Sequence, residues 1–297
     1  MDGAQQDAVS REYDLDWLDR MPPDRLFSLE GRVAVVTGAA GGIGRWLCAA
    51  LGAAGARIAA ADVALEPIER MGEALAQRGV EIHPVIADLE DDGAPAHIIG
   101  ATVERYGRVD ILVNNAGINV RQPILEVTRE FLEKIWKIDY LSCYRLSQEA
   151  ARVMIDQGKG VILHIGSLGA TVGLEDVSAY GPMKAGLSLL AKVQAVEWAR
   201  FGIRANVLAP GFFATPINAS HWKNPTRAPW IMDRVPLCRP GHPAELVGTA
   251  LLLVSDASTF ISGQTILVDG GFTAGSRWNV VPGTGYETYL EKYAPKD

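Results

Sequence analysis

Two side chains four positions apart, Tyr180 and Lys184 in the stretch SAYGPMK, could do chemistry together. Four residues make about one helical turn, so in a helix both side chains leave the same face. A free phenol ionises near pH 10, as an order of magnitude. A neighbouring ammonium favours the phenolate, so the pair could trade protons closer to neutrality. A solvated surface pair has the same spacing, so the spacing does not decide by itself. A second set of apt residues lies upstream, where Gly38, Gly42 and Gly44 punctuate VAVVTGAAGGIGRWLCAALGAAGA. Glycines between a strand and a helix let the backbone turn tightly and approach a pyrophosphate, which then rests on the helix N-terminus. Asp62 closes the next apolar run. A carboxylate there suits the adenosine ribose hydroxyls and repels a 2′-phosphate. Gly41 and Val63 offer no cation to such a phosphate, and Arg45 is the one nearby cation. The expected cofactor is therefore NAD in preference to NADP.

The elements that must position these residues follow from the hydrophobic pattern. Apolar runs occur at 33–37, 56–62, 82–88, 109–115, 160–167, 203–210 and 264–269. Longer amphipathic stretches such as 65–79, 129–157 and 178–201 lie between most of them. Short strands without clean alternation, separated by helices, predict a parallel sheet buried on both faces. The expected fold is one doubly wound α/β domain of the Rossmann type with seven parallel strands, over about residues 31–272. Ser178 is the expected cap of the helix that carries Tyr180, and its first turn tolerates Pro182. Residues 1–30, with Trp17, Leu18, Leu26 and Phe27, read as an N-terminal extension, and residues 273–297, with Trp278, Tyr286, Tyr289 and Tyr293, as a C-terminal one. The stretch 212–240 is rich in Pro, Trp and basic residues and too long for a plain connection, so it reads as a substrate lid.

Composition narrows the function classes. The chain has 297 residues and a net charge of −7, which argues against nucleic acid or an anionic membrane as a partner. Three scattered cysteines suggest neither a disulfide framework nor a zinc cluster, and reduced thiols fit a cytoplasmic location. The polar, acidic N-terminus is not a signal peptide, and no apolar segment is long enough to span a bilayer.

TGAAGGIG, NNAG (114–117), Ser167, YGPMK and PGFFATP (210–216) stand in one order on one expected fold. Together they resemble the short-chain dehydrogenase/reductase family. The resemblance implies that Tyr180 is the general acid/base, that Lys184 and a bound nicotinamide stabilise its phenolate, and that Ser167 holds the substrate oxygen. It implies a cofactor site built from Gly38, Gly42, Ile43, Gly44, Asp62, Val63, Asp88, Leu89, Asn115, Ala116, Gly117, Tyr180, Lys184, Pro210, Gly211, Phe213 and Thr215, with NNAG also bracing the sheet. One position departs from the family pattern. Asp139 stands where the family usually has Asn, in the relay behind the lysine. An ionised aspartate can accept the same bonds but cannot donate, and it favours a charged Lys184. The alternative is a helix carboxylate facing water.

The family fixes hydride transfer and leaves the substrate open. Arg121, on the loop after the fourth strand, and Phe212 are expected at the substrate with Ser167 and Tyr180. His221, Lys223, Arg227 and Arg234 share the lid with Trp222 and Trp230, a mixture that suits a polar, anionic, polyhydroxy substrate. The lid, NNAGINVRQP and VDGGFTAG resemble the gluconate 5-dehydrogenase branch, which acts on sugar acids. Ketoacyl groups, cyclic alcohols and other sugars are the alternative substrates. A cofactor-binding protein without turnover is the alternative of another class, and it is disfavoured because both Tyr180 and Lys184 are present. The resemblance further implies a homotetramer or homodimer built through helices in 129–157 and 178–201. The C-terminal extension could reach a neighbour's pocket. Oxidation releases a proton, so it should run faster in mild alkali and reduction faster nearer neutrality.

Overall fold

Each apolar run becomes a strand, because residues apolar on both faces can be buried on both. The computed structural model describes Pro22 and residues 25–215 and 218–275. In chain order the elements are β1 (Val33–Thr37), α1 (Gly44–Ala53), β2 (Arg57–Asp62), α2 (Leu65–Ala76), β3 (Ile82–Ile86), α3 (Ala94–Tyr106), β4 (Ile111–Asn114), α4 (Arg129–Trp136), α5 (Ser142–Gln157), β5 (Gly160–Ile165), α6 (Tyr180–Trp198), β6 (Ile203–Pro210), α7 (Ala219–Lys223), α8 (Arg227–Arg234), α9 (Val247–Val254) and β7 (Thr265–Val268). The sheet has seven strands in the order β3-β2-β1-β4-β5-β6-β7. All neighbours are parallel, with Val35 level with Ala59 on β2 and Leu112 on β4. The direction of winding reverses between β1 and β4, which opens a crevice at their C-terminal ends.

Successive strand residues point to opposite faces. Ala34 and Val36 pack with Leu47 and Leu51 of α1, Ile68 of α2 and Leu253 of α9. Val33 and Val35 pack with Ile98 of α3, Leu146 and Met154 of α5 and Ala191 of α6 on the other side. The core also takes in Leu29, which is fully buried and donates its N–H to the Ala54 carbonyl at 2.7 Å. The end of the expected N-terminal extension is thus packed against the domain. Most of both extensions lies outside the described residues, including Trp17, Leu18, Trp278, Tyr286, Tyr289 and Tyr293.

Two irregularities serve the site. The expected helix over 129–157 is interrupted by a π-helical turn at Lys137–Leu141, which sits between α4 and α5 and contains Asp139. Such turns re-aim side chains and recur at functional sites. The expected lid forms α7 and α8, tied to the body where the Arg227 guanidinium meets the Asp176 carboxylate at 3.4 Å. Among the described residues no helix is long and apolar enough to cross a membrane. All three cysteines are free thiols, Cys48 and Cys143 buried and Cys238 exposed.

Candidate active site

The loops that follow the strand ends enclose a cavity of about 710 Å³. Apart from the lid residues, every catalytic, cofactor and substrate residue expected from the sequence borders it except Gly44 and Asp139. Those two stand behind the wall, and each shapes it.

At one end lies the turn between β1 and α1. Gly38 holds φ +59°, a left-handed conformation that suits glycine. A Cβ on Gly44 would sit 2.1 Å from the Gly38 carbonyl oxygen, so no other residue fits the turn as it stands. The N-terminus of α1, at Ile43, has no side-chain cap and no acidic residue in its first turn. Its positive end is therefore left to an anion. The Asp62 carboxylate accepts N–H bonds from Ala40 at 3.0 Å and Val63 at 2.8 Å, which hold it at the rim beside that turn. Arg45 also borders the cavity. A pyrophosphate, with a ribose against Asp62, fits this donor set. Asn115 braces the site from below: its amide donates to the carbonyls of Thr37 at 2.9 Å and Gly38 at 3.0 Å, tying β4 to β1. The Asp88 carboxylate accepts from the Glu90 N–H at 2.9 Å and holds its own loop.

At the other end stand the groups that could move a proton. Ser167 follows β5, and its Oγ accepts the Gly169 N–H at 3.1 Å. Tyr180 is the first residue of α6. The helix is capped at Ala179 without a side-chain bond, so Ser178 does not fill the expected role. Pro182 falls in the first turn, as expected. A Cβ on Gly181 would lie 2.9 Å from the Gly169 carbonyl, a close approach that brings α6 up to the turn after Ser167. The Lys184 ammonium lies 5.5 Å from the centre of the Tyr180 ring and 3.2 Å from Asp139 Oδ2. Asp139 has no solvent exposure, and its Oδ1 accepts the Ile118 N–H at 2.8 Å. The water-facing alternative for Asp139 does not hold. Gly117 leaves room for this pair, since a Cβ there would be 2.6 Å from Asp139 Oδ2.

Burial alone would lower the pKa of Lys184, but the Asp139 carboxylate and Tyr180 outweigh it, and the net shift is upward. Burial raises the Asp139 carboxyl while the Lys184 charge pulls it down, with burial ahead. The two directions disagree about whether the pair is charged. The 3.2 Å contact and the Ile118 N–H both favour the ion pair, and we take it as charged. Tyr180 is also raised, by burial first. Lys184, a hydrogen bond with Ser167 and Arg121 pull the phenol down, and Asp139 pushes it up. Lys184 thus pulls the phenol down as its spacing predicts, while the net shift of the chain by itself is upward. Burial and the second partner of Lys184 are the reasons.

Toward the lid, Arg121 is half-buried at the cavity wall. Its loop is fixed by the Gln122 N–H, which donates to the Asp176 carbonyl at 3.0 Å. Phe212 meets Phe272 edge-on at 5.2 Å, and Asp269 holds the Phe272 turn by accepting the N–H groups of Gly271 and Thr273. Phe213 is only 4% exposed and packs into the core, so it borders the cavity as wall more than as ligand. The lid residues are a correction. Lys223, Arg227, Arg234, Trp222 and Trp230 are not among the residues bordering the cavity. Arg234 lies over the Trp230 ring at 4.9 Å. Nothing is described of the His221 side chain or of Pro216.

Sequence reasoning missed a buried polar cluster behind Ser167. The Asn114 amide nitrogen lies 3.2 Å from His164 Nδ1, and His164 Nε2 lies 2.9 Å from Gln194 Oε1. An amide nitrogen only donates, so the ring carries its proton on Nε2. The cluster joins β4, β5 and α6, the elements that deliver Asn115, Ser167 and Tyr180. Its one sequence signal is a histidine inside the apolar strand GVILHI. Leu174, Val177 and Asn218 also border the cavity and carry no motif, and Asn119 joins them from within NNAGINVRQP.

Residues 38–273 match a family described as enoyl-(acyl carrier protein) reductase. A 2-dehydro-3-deoxy-D-gluconate 5-dehydrogenase of Escherichia coli is 37% identical over 250 residues, which is 84% of this chain and 98% of that one. A gluconate 5-dehydrogenase of Gluconobacter oxydans is 34% identical over 251 residues, covering 84% and 98%. The crystal structure of a gluconate 5-dehydrogenase from Burkholderia cenocepacia in complex with NADP and tartrate superposes with a TM-score of 0.81 at 33% identity, covering 84% of this chain and 98% of that one.

Proposed function

The chain belongs to the short-chain dehydrogenase/reductase family, oxidoreductases that act on CH–OH groups with a nicotinamide cofactor, and from that premise we propose that it interconverts a secondary alcohol and a ketone of a sugar acid or polyol. One observation carries the reading: Ser167, Tyr180 and Lys184 meet at the end of the same cavity whose other end has the glycine turn and Asp62.

A nicotinamide held along Asn115, Gly117, Tyr180, Lys184 and Pro210 would supply hydride transfer to and from the alcohol carbon. Tyr180 Oη takes the hydroxyl proton in oxidation and gives it back in reduction. Ser167 Oγ orients the substrate oxygen and donates to it as charge develops. Lys184 supplies positive charge beside the phenol and a donor to the cofactor ribose. Asp139 holds Lys184 from behind. Arg121 and Phe212 contact the substrate, the guanidinium suiting a carboxylate. Gly38, Gly42, Ile43, Asp62, Val63, Asp88, Leu89, Asn115, Ala116, Gly117, Pro210, Gly211, Phe213 and Thr215 line the cofactor side, and Gly44 shapes its turn.

NAD is the preferred cofactor, on the strength of the Asp62 carboxylate and the absence of a cation at positions 41 and 63. The Burkholderia protein holds NADP, so this preference is a property to be measured on this chain. The free thiols of Cys48, Cys143 and Cys238 fit work in the cytoplasm.

The test is a screen of sugar acids, polyols and cyclic alcohols with NAD⁺ and NADP⁺, followed by absorbance of the reduced cofactor. Turnover of a sugar acid with NAD⁺ is expected, and Tyr180→Phe should lower it about 10²-fold or more with dinucleotide binding kept. Undiminished turnover in that variant, or tight NAD binding with no turnover on any alcohol, would overturn the reading.

A further inference from the structure

A buried carboxylate beside the amine of a phenol–amine pair has a consequence for the phenol. We propose that Asp139 is a positioning residue whose negative charge offsets the field of Lys184 at Tyr180, so that the phenol ionises at higher pH than beside an unpaired lysine. This rests on the oxidoreductase reading above, in which the Tyr180 phenolate is the base.

The geometry is direct. Lys184 neighbours both acids, 3.2 Å from Asp139 Oδ2 and 5.5 Å from the centre of the Tyr180 ring. Asp139 and Lys184 are both buried, so solvent does little to screen either charge. An ammonium alone would present a full positive charge to the phenol. An ammonium with a carboxylate behind it presents a dipole, whose pull is weaker. The π-helical turn aims Asp139 at the amine, and Gly117 leaves the space for it.

Other groups do not supply the same negative charge. From α6 the phenol is faced by Lys184, from the end of β5 by Ser167, from the loop after β4 by Arg121 and from the π turn by Asp139. Cys143 of α5 lies near Lys184, but burial pushes its thiol up to about 11 and keeps it neutral. His164 of β5 is held at about 4 by burial and is neutral as well. Among the described residues Asp139 is thus the one negative charge acting on the phenol. In agreement, its carboxylate acts to raise Tyr180 while Lys184 and Arg121 act to lower it.

The test is Asp139→Asn, which keeps the shape and removes the charge. Tyr180 is titrated directly by nuclear magnetic resonance of ring-labelled tyrosine, with the signal assigned through Tyr180→Phe. The ring titration should move to lower pH by about one unit or more. The acid limb of kcat/KM for alcohol oxidation should move the same way. Should Asp139→Asn fail to fold, Asp139→Ser, smaller and also neutral, carries the same expectation. A fall in activity at every pH, with the ring titration unmoved, would overturn the proposal and leave Asp139 a structural residue. Failure of the underlying reading looks different: the wild type turns over no alcohol, while the ring titration can still be read.

Discussion

His164 shows how much a single buried side chain can tie to pH. Burial holds its pKa at about 4, below the ordinary 6.5. The unfolded chain therefore binds this proton more readily than the folded one. The stabilisation from keeping His164 neutral is fully present above about pH 6.5 and is lost as pH falls toward 4, by about 3 kcal/mol in all. Urea unfolding between pH 7 and pH 4 should reveal this slope, and His164→Asn should flatten it. An identical slope in the variant would assign the acid sensitivity to other groups. Tyr180 sets the opposite end of the pH scale. Because burial raises its phenol, oxidation should accelerate as pH climbs from neutral into mild alkali, and reduction should not. Initial rates in both directions across that range give the comparison. Equal oxidation rates throughout would contradict a phenol as the base.

Among the elements, the turn from β1 to α1 is the most tightly specified. A methyl group on Gly44 would press on the backbone carbonyl of Gly38, which cannot swing aside as a long side chain could. Gly44→Ala should destabilise the fold by about 1–3 kcal/mol. It should also weaken NADH binding about tenfold or more, since the turn would open where the pyrophosphate rests. Thermal unfolding and a fluorescence titration with NADH measure the two effects, and unchanged affinity would mean that the turn is only structural. The order of the strands was legible as elements because the signals are local: VAVVT and IRANVLAP match β1 and β6 residue for residue. The helix over 129–157 was legible as a helix but its π turn was not. An inserted residue in a helical ladder has no compositional mark.

On the scale of the whole molecule, apolar side chains are left uncovered. Leu189 is 64% and Val196 81% exposed on α6, and Leu132, Trp136 and Tyr144 are exposed along α4 and α5. These lie in the two helical stretches through which the family resemblance implied self-association. A homodimer or homotetramer that buries them is expected in solution, because large apolar side chains gain by leaving water. Light scattering should report more than one chain per particle. Val196→Lys, remote from the cavity, should shift the population toward smaller species. A monomeric wild type at micromolar concentration would sink this expectation.

By itself the sequence determined the parallel sheet, the glycine turn, the Tyr180–Lys184 spacing and the position of Asp62. Each depends on residues close along the chain, where periodicity and turn geometry act directly. The tertiary structure decided what surrounds them. It removed Asp139 from water and set it against a lysine far along the chain, drew His164, Asn114 and Gln194 into one cluster, and kept Lys223, Arg227 and Arg234 of the lid from the cavity wall. It also buried Tyr180, which raises the phenol against the downward pull of Lys184. The physical reason is the same in each case: desolvation and charge pairing depend on which groups the packed elements bring together, and a sequence does not state that distance.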